Sequence, residues 1–151
     1  MENQNYDALK LENQICFPLY AASRELVKQY KPMLDQLNLT YTQYIVMLVL
    51  WEKKNLTTKE LGQILYLDSG TLTPLLKKME SKGLLTRKRS SYDERNLDVT
   101  ITESGEQLKD AALDIPAKIF KNTGLDVEEA TGLYKALNKI LAQGKEQPET
   151  I

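Results

Sequence analysis

The stretch TTKELGQILYLDSGTLTPLLKKMESKG, residues 57–83, decides the fold. Thr57 and Glu60 have capping-box spacing, in which a hydroxyl and a carboxylate satisfy each other's backbone N–H groups at a helix start. The short helix they open carries Leu61, Ile64 and Leu65. Asp68-Ser69-Gly70 offers a second helix start a few residues later. From there Leu72, Leu75, Leu76 and Met79 fall at i, i+3, i+4 and i+7, an amphipathic stripe. Gly70, Thr73, Lys77 and Ser81 lie on the opposite face, flanked by Thr71 and Lys78. Gly83 closes this helix as a C-terminal glycine. Two short helices across a brief turn make a helix-turn-helix. Pro74 leaves the start of the second helix open. With Ser69 as cap it removes a hydrogen bond in the second turn, whereas a start nearer Thr71 places it among donors that need no partner.

Downstream the period changes from helical to alternating. Leu84 to Arg89 reads as one strand. Asn96 to Ile101 reads as another, with Leu97, Val99 and Ile101 apolar and Asn96, Asp98 and Thr100 polar. The polar segment 90–95 joins them. A β-hairpin directly after a helix-turn-helix is a wing. Two further helices are expected after it. One carries Leu108, Ala111, Ala112, Ile115 and Ile119; the other carries Val127, Ala130, Leu133, Leu137, Ile140 and Leu141 and is capped by Asp126.

Upstream, Thr40 caps a helix running through YTQYIVMLVLW, apolar on nearly every side and so placed at the centre of the domain. Before it, Leu9 to about Tyr30 reads as a helix with Ile15, Leu19, Ala22, Leu26 and Tyr30 on one stripe, ended with the help of Pro32. Pro18 removes the hydrogen bond to Gln14, so that either the helix kinks there or the segment before it is a separate turn. The fold class is mainly α with a small β-hairpin wing (α+β). Residues 1–151 form a single domain: a winged helix-turn-helix core over 40–102, with dimerisation helices over 1–39 and 103–151. The terminal helices carry apolar stripes beyond what the core can cover, and a two-fold partner is the simplest cover.

Composition excludes several chemistries. The chain has no histidine and one cysteine, so a histidine metal cage, a Ser-His-Asp triad, a Cys-His pair and a structural zinc site are unavailable to one chain. Its seven glycines form no phosphate-binding loop. Neither an enzyme nor a bound cofactor is expected. No apolar run reaches membrane-span length, and the polar start MENQNYDALK lacks a signal-peptide layout, which points to the cytoplasm and away from a membrane. The net charge of -1 hides a segregation: residues 53–95 hold ten Lys/Arg and five Asp/Glu, a basic middle in an otherwise acidic chain. A nucleic-acid partner would leave such a footprint, and so would an ordinary solvated surface; charge alone does not choose between them.

Along nearly its whole length the chain resembles the MarR family of transcription factors. The strongest marker is Asp93-Glu94-Arg95, then Ile101-Thr102 and Gly105, against the family's D-x-R…L-T-x-x-G, with isoleucine for the usual leucine. The resemblance implies a homodimer on double-stranded, pseudo-palindromic operator DNA. It puts Arg95 in the minor groove, oriented by Asp93, and a recognition helix in the major groove, with Ser69, Thr71, Thr73, Lys77 and Lys78 as candidates. Narrow minor grooves concentrate negative potential and attract arginine. Arg87, Lys88 and Arg89 on the hairpin are expected on phosphates, setting register rather than sequence.

The segments ENQICF, LYAASRE, KQYKP, LTYTQY and YLDSGTLTPLLKKME further resemble the organic hydroperoxide resistance regulators (OhrR), a branch of that family. A lone cysteine on a helix stripe is by default a small buried hydrophobe. The resemblance implies instead that Cys16 reacts with organic hydroperoxides, that Tyr20, Tyr30 and Tyr41 support its thiolate, and that a small cellular thiol resolves the oxidised sulfur, as in the one-cysteine type. Hydrogen bonds from phenols favour a thiolate over a thiol. Fourteen residues separate Cys16 from Tyr30, about 21 Å along one straight helix. Contact between them therefore requires a partner chain or a sharp bend. Two alternatives stand beside this reading: a repressor induced by a small aromatic ligand, with Cys16 structural, and a thiol peroxidase, for which a basic wing has no use.

Overall fold

The computed structural model describes residues 5–92 and 96–146. They fall into two compact units, the first ending at Ile115 and the second starting at Pro116. The first opens with two single-turn 3-10 helices, Asp7–Leu9 and Leu11–Asn13. It continues through α1 (Cys16–Gln36), α2 (Tyr41–Lys53), β1 (Asn55–Thr57), α3 (Thr58–Leu65), α4 (Ser69–Ser81), β2 (Leu85–Arg89), β3 (Leu97–Ile101) and α5 (Glu103–Ala112).

The first helix differs from expectation at both ends. Before Cys16 the polar side chains of Asn13 and Gln14 take the backbone carbonyls that a longer helix would use. Asn13 Nδ2 donates to Asp7 O at 2.6 Å, and Gln14 Nε2 donates to Ala8 O at 2.6 Å and Lys10 O at 3.0 Å. This local competition breaks the segment into turns. Pro18 is then the third residue of α1, within the first turn, where its missing N–H has no intrahelical acceptor to lose. Of the two readings of Pro18, the separate turn before it holds and the kink does not. Pro32 does not end the helix; it lies inside it, and α1 runs on to Gln36. An interior proline costs about 3 kcal/mol or more. Burial of Leu34 and Leu39, at 2% and 5% exposure, contributes roughly 1.5–3 kcal/mol each and offsets that cost. Asn38, at φ 53°, closes the end, and the Leu39 N–H reaches back to Leu34 O at 3.0 Å.

The α2 helix starts at Thr40 through a reciprocal capping box with Gln43 and buries Tyr44, Val46, Met47, Val49, Leu50 and Trp51. It is the centre of the unit, as its all-round apolar sequence implies. Thr57 and Glu60 cap α3 in both directions. Asp68, rather than Ser69, caps α4, its carboxylate accepting the Thr71 N–H at 2.7 Å. The helix therefore starts at Ser69 and not near Thr71. Pro74 is its sixth residue, which leaves the Gly70 carbonyl without its helical donor. Gly83, at φ 74°, ends the turn after α4 in the left-handed region where a side chain is strained.

The sheet has one strand more than the hairpin expected. Its order is β1-β3-β2, all antiparallel. Leu56 of β1 is buried opposite Val99, and Asn55 Nδ2 donates to Thr100 Oγ1 at 2.5 Å. In the β2–β3 pair Leu85 faces Ile101, Arg87 faces Val99 and Lys88 faces Asp98. Alternation puts Leu85, Arg87, Val99 and Ile101 on the inner face.

The Ile101-Thr102-x-x-Gly105 segment is a structural weld. Thr102 Oγ1 accepts the Gly105 N–H at 3.1 Å and donates to Gly83 O at 2.5 Å. The Gly105 carbonyl accepts Trp51 Nε1–H at 2.9 Å. A Cβ at Gly105 would collide with the Leu84 carbonyl oxygen and come within 2.8 Å of Ile101 Cγ1.

The second unit consists of nearly all of α6 (Ile115–Thr123) and of α7 (Val127–Glu146). The single helix expected from Leu108 through Ile119 is thus broken at 113–114. Pro116 is the reason: it has no N–H for the Ala112 carbonyl, and it sits in the first turn of α6, where none is needed. Asp126 caps α7 as expected; its carboxylate accepts the Glu129 N–H at 2.8 Å while Glu129 accepts the Asp126 N–H at 3.0 Å.

Gly105→Ala is predicted to destabilise the first unit by about 1–3 kcal/mol through overpacking against backbone. A lowered urea midpoint with an unchanged slope is the expected observation, and an unchanged midpoint would show that the weld has slack.

Candidate functional site

The α4 helix presents one face to the core through Leu72, Leu76 and Met79 and the other to solvent. Ser69, Thr71, Lys77 and Lys78 are exposed on it and Thr73 is half-buried. All five sequence-selected residues therefore stand on one short helix, with the two lysines free of ion pairs among the described residues. The α3 helix supports this face from behind, with the Leu67 N–H reaching back to Gly62 O at 3.0 Å across the turn.

On β2, Lys88 and Arg89 are exposed and likewise without ion pairs among the described residues. Arg87 is different. Its guanidinium donates to Glu80 Oε1 at 3.1 Å and 3.3 Å, and its backbone N–H donates to Glu80 Oε2 at 2.8 Å. Its side chain is only 14% exposed. These bonds hold the Glu80 carboxyl below its ordinary range. Arg87, expected on a phosphate, is thus engaged with Glu80 and pins β2 to α4. The alternation Leu85, Arg87 carried the signal, since every second residue of a strand shares a face. Asp93 and Arg95, at the wing tip, lie outside the described residues.

Cys16 is exposed, not a buried hydrophobe. It is the first residue of α1, and a helix N-terminus accommodates anions through its unpaired N–H groups. Tyr20 stands one turn on, on the same face. Its hydroxyl accepts from Arg24 Nη1 at 3.3 Å, and the Arg24 guanidinium lies 5.3 Å from its ring centroid. Ile15, Phe17 and Leu19 surround the thiol and are exposed as well, Ile15 by 81%. Leu11, Gln14, Phe17 and Pro18 line an open groove of about 730 Å³ beside it.

Tyr30 and Tyr41 are brought together elsewhere. Their ring centroids are 4.9 Å apart, and Tyr44, absent from the sequence-selected set, joins them at 5.6 Å from Tyr30 and 6.4 Å from Tyr41. None of the three hydroxyls makes a hydrogen bond among the described residues, which leaves three O–H donors unspent. Burial, reinforced by Tyr41 and Tyr44, pushes the Tyr30 phenol up from 10.0 to about 12, and burial raises Tyr41 and Tyr44 too. All three are donors throughout the physiological range. Val27, Leu34, Leu39 and Tyr41 line a groove of about 310 Å³ next to this cluster. Because α1 is uninterrupted from Cys16 through Tyr30, about 21 Å of helix separates the thiol from the phenols of its own chain.

Among the described residues no group of three His, Cys, Asp or Glu side chains could hold a metal ion, and no helix is long and apolar enough to cross a membrane.

Residues 28–112 match the family described as transcriptional regulator SarA/Rot. The chain is 54% identical over 144 residues to the organic hydroperoxide resistance transcriptional regulator of Bacillus subtilis, covering 93% of this chain and 97% of that protein. Among solved structures it resembles reduced AbfR bound to DNA, at 34% identity and a TM-score of 0.76, over 93% of this chain and 98% of that one. It also resembles overoxidized AbfR bound to DNA, at 34% identity and a TM-score of 0.73, over 91% and 96%. AbfR is a protein of Staphylococcus epidermidis.

The raised Tyr30 phenol carries a linkage prediction. A proton bound more tightly in the folded state stabilises it fully below pH 10.0, and that contribution is lost as pH rises from 10.0 to about 12. Phenolate absorbance should show a late-titrating tyrosine that disappears in Tyr30→Phe. The variant's stability should also fall less steeply over that interval than the wild type's, and equal slopes would count against the assignment.

Proposed function

The chain belongs to the MarR family of winged-helix transcription regulators, in its organic hydroperoxide resistance branch, and from that membership we propose that it is a homodimeric repressor that releases its operator when an organic hydroperoxide oxidises Cys16. It is a DNA-binding regulator, and its relatives are transcription regulators rather than enzymes. What supports the redox reading best is an exposed thiol at one end of an unbroken helix and, about 21 Å along it, Tyr30 within a cluster of phenols whose hydroxyls make no hydrogen bond among the described residues. Two antiparallel copies bring Cys16 of one chain to Tyr30 and Tyr41 of the other, with the groove beside Tyr41 receiving the partner's thiol segment. Tyr20 reaches the thiol from its own chain.

The exposed apolar side chains fit the same assembly. Ile15, Phe17 and Leu19 in the first unit, and Val127, Leu133 and Ile140 in the second, are large hydrophobics in solvent. Exposed large hydrophobics in both units fit cover by a partner. The terminal segments 1–39 and 103–151 then serve dimerisation around a winged core over 40–102. In the dimer Ser69, Thr71, Thr73, Lys77 and Lys78 read the major groove of a pseudo-palindromic site. Lys88 and Arg89 hold phosphates, and Arg95, set by Asp93, enters the minor groove.

The chemistry balances with one cysteine. The Cys16 thiolate attacks the distal oxygen of the hydroperoxide, the O–O bond breaks, the alcohol departs with a proton, and the sulfur becomes a sulfenic acid. A small cellular thiol then attacks that sulfur, expelling water and leaving a mixed disulfide. No second cysteine in the chain competes for this step. The apolar surroundings of Cys16 favour lipophilic peroxides over hydrogen peroxide. A mixed disulfide is too bulky for the phenol contacts, so the interface shifts. The two recognition helices then lose the spacing of roughly 34 Å that consecutive half-sites require.

The test uses DNA selected by the reduced protein from a random-sequence pool. Cumene hydroperoxide with a small thiol is predicted to weaken wild-type binding by about tenfold or more and to leave Cys16→Ser bound. Equal release of both proteins, or release of neither, would reject the reading. Release of both by an aromatic ligand alone would favour ligand induction.

A further inference from the structure

Lys82 is an exposed lysine whose ammonium is nonetheless committed. Immediately after α4, it donates to the Asn38 carbonyl oxygen at 2.6 Å and to Gln43 Oε1 at 3.0 Å. Both acceptors belong to the corner between α1 and α2. Asn38 is the left-handed residue that ends α1. Gln43 is the third residue of α2, only 3% exposed, and the same Oε1 accepts the Thr40 N–H at 3.1 Å. Its amide oxygen therefore joins the cap of α2 to the end of the recognition helix. Charge-assisted hydrogen bonds are shorter and stronger than neutral ones, and holding a long side chain in one geometry costs rotamer entropy. A lysine held this way transmits position.

The corner has a second occupied side. Tyr41 is the first residue of α2, Tyr44 lies one turn on, and Tyr30 of α1 packs on both. The phenol cluster and Lys82 thus hold neighbouring residues of the same short corner, Tyr41 and Tyr44 on one side and Asn38 and Gln43 on the other. Apart from the Arg87–Glu80 bonds, which tie α4 to the wing, the other attachments of α4 run through Leu72, Leu76 and Met79, apolar contacts without directional preference. The Lys82 bonds are directional, and they act at one end of a helix about 20 Å long. A small displacement of the corner becomes a displacement of that end of α4.

Granted the redox-controlled release proposed above, we infer that Lys82 is a positioning residue that carries the state of the phenol cluster to the recognition helix, by holding the Asn38 carbonyl and the Gln43 amide oxygen at the α1–α2 corner. It acts through α4 and neither reacts with peroxide nor touches a base.

The experiment compares wild type, Lys82→Met and Lys82→Arg. Methionine keeps most of the stem and loses the donors; arginine keeps the charge and the donors. For each protein, Cys16 oxidation is followed by mass, and affinity for the selected DNA is measured before and after cumene hydroperoxide with a small thiol. Lys82→Met is expected to bind within about threefold of wild type when reduced and to oxidise as fully. Its loss of affinity on oxidation is expected to shrink from about tenfold or more to less than about threefold, with Lys82→Arg restoring the larger response. Full release of oxidised Lys82→Met overturns the role of Lys82 and leaves the redox reading standing. Equal weakening of Lys82→Met in both redox states, with a salt slope reduced by about one, identifies a phosphate contact and also overturns it. A wild type that stays bound with Cys16 fully oxidised overturns both the redox reading and the transmission.

Discussion

An uninterrupted helix is the constraint on which everything else turns. It begins at Cys16 and runs to Gln36, so the thiol and the Tyr30 phenol sit at fixed positions about 21 Å apart along the axis. Pro18 falls in the first turn and Pro32 lies beyond Tyr30, so neither bends the chain back between them. The rigid rod keeps an exposed nucleophile apart from Tyr30 and the two phenols packed on it, whose hydroxyls make no hydrogen bond among the described residues. A redox site assembled from both needs two rods. Sensing and dimerisation are then one requirement, and any change at the sulfur is a change at the interface.

The outward face of α4, proposed to read DNA, is held by a comparable economy of contacts. The α4 helix is fixed at its start by Asp68, at its flank by Glu80 through Arg87, and at its end by Lys82. Each device uses a charged side chain to fix a backbone position, so the outward residues from Ser69 to Lys78 are left for a ligand. Glu80 and Arg87 make the wing and the recognition helix one body. The weld around Thr102 and Gly105 ties that body to Trp51 at the centre of the unit.

Much of this was legible in the sequence because the signals are local. Capping boxes at Thr40 and Thr57, the i, i+3, i+4, i+7 stripe of α4, the glycine at 83 and the alternation of β3 each specify a conformation within a few residues. The failures come where local rules compete. Pro32 reads as a helix end, yet it is outweighed by the burial of Leu34 and Leu39. At Pro116 the opposite error arose, since an apolar stripe continues across a real break. The strand at 55–57 is too short to show alternation. The Arg87–Glu80 pair depended on packing between a helix and a strand, although the inward phase of Arg87 was readable. Tyr44 was hidden in a run of apolar residues. The proposed two-chain site is legible only as a distance too great for one chain.

Subunit mixing probes the central claim most directly. Cys16→Ser chains are combined with chains carrying Tyr30→Phe and Tyr41→Phe, and subunits are exchanged by unfolding and refolding together. If thiol and phenols come from opposite chains, neither parent oxidises rapidly with cumene hydroperoxide. The mixture gains one intact site per heterodimer, with about half of the surviving thiols reacting at the wild-type rate. A mixture as slow as its parents, or a tyrosine variant as fast as wild type on its own, would contradict the account.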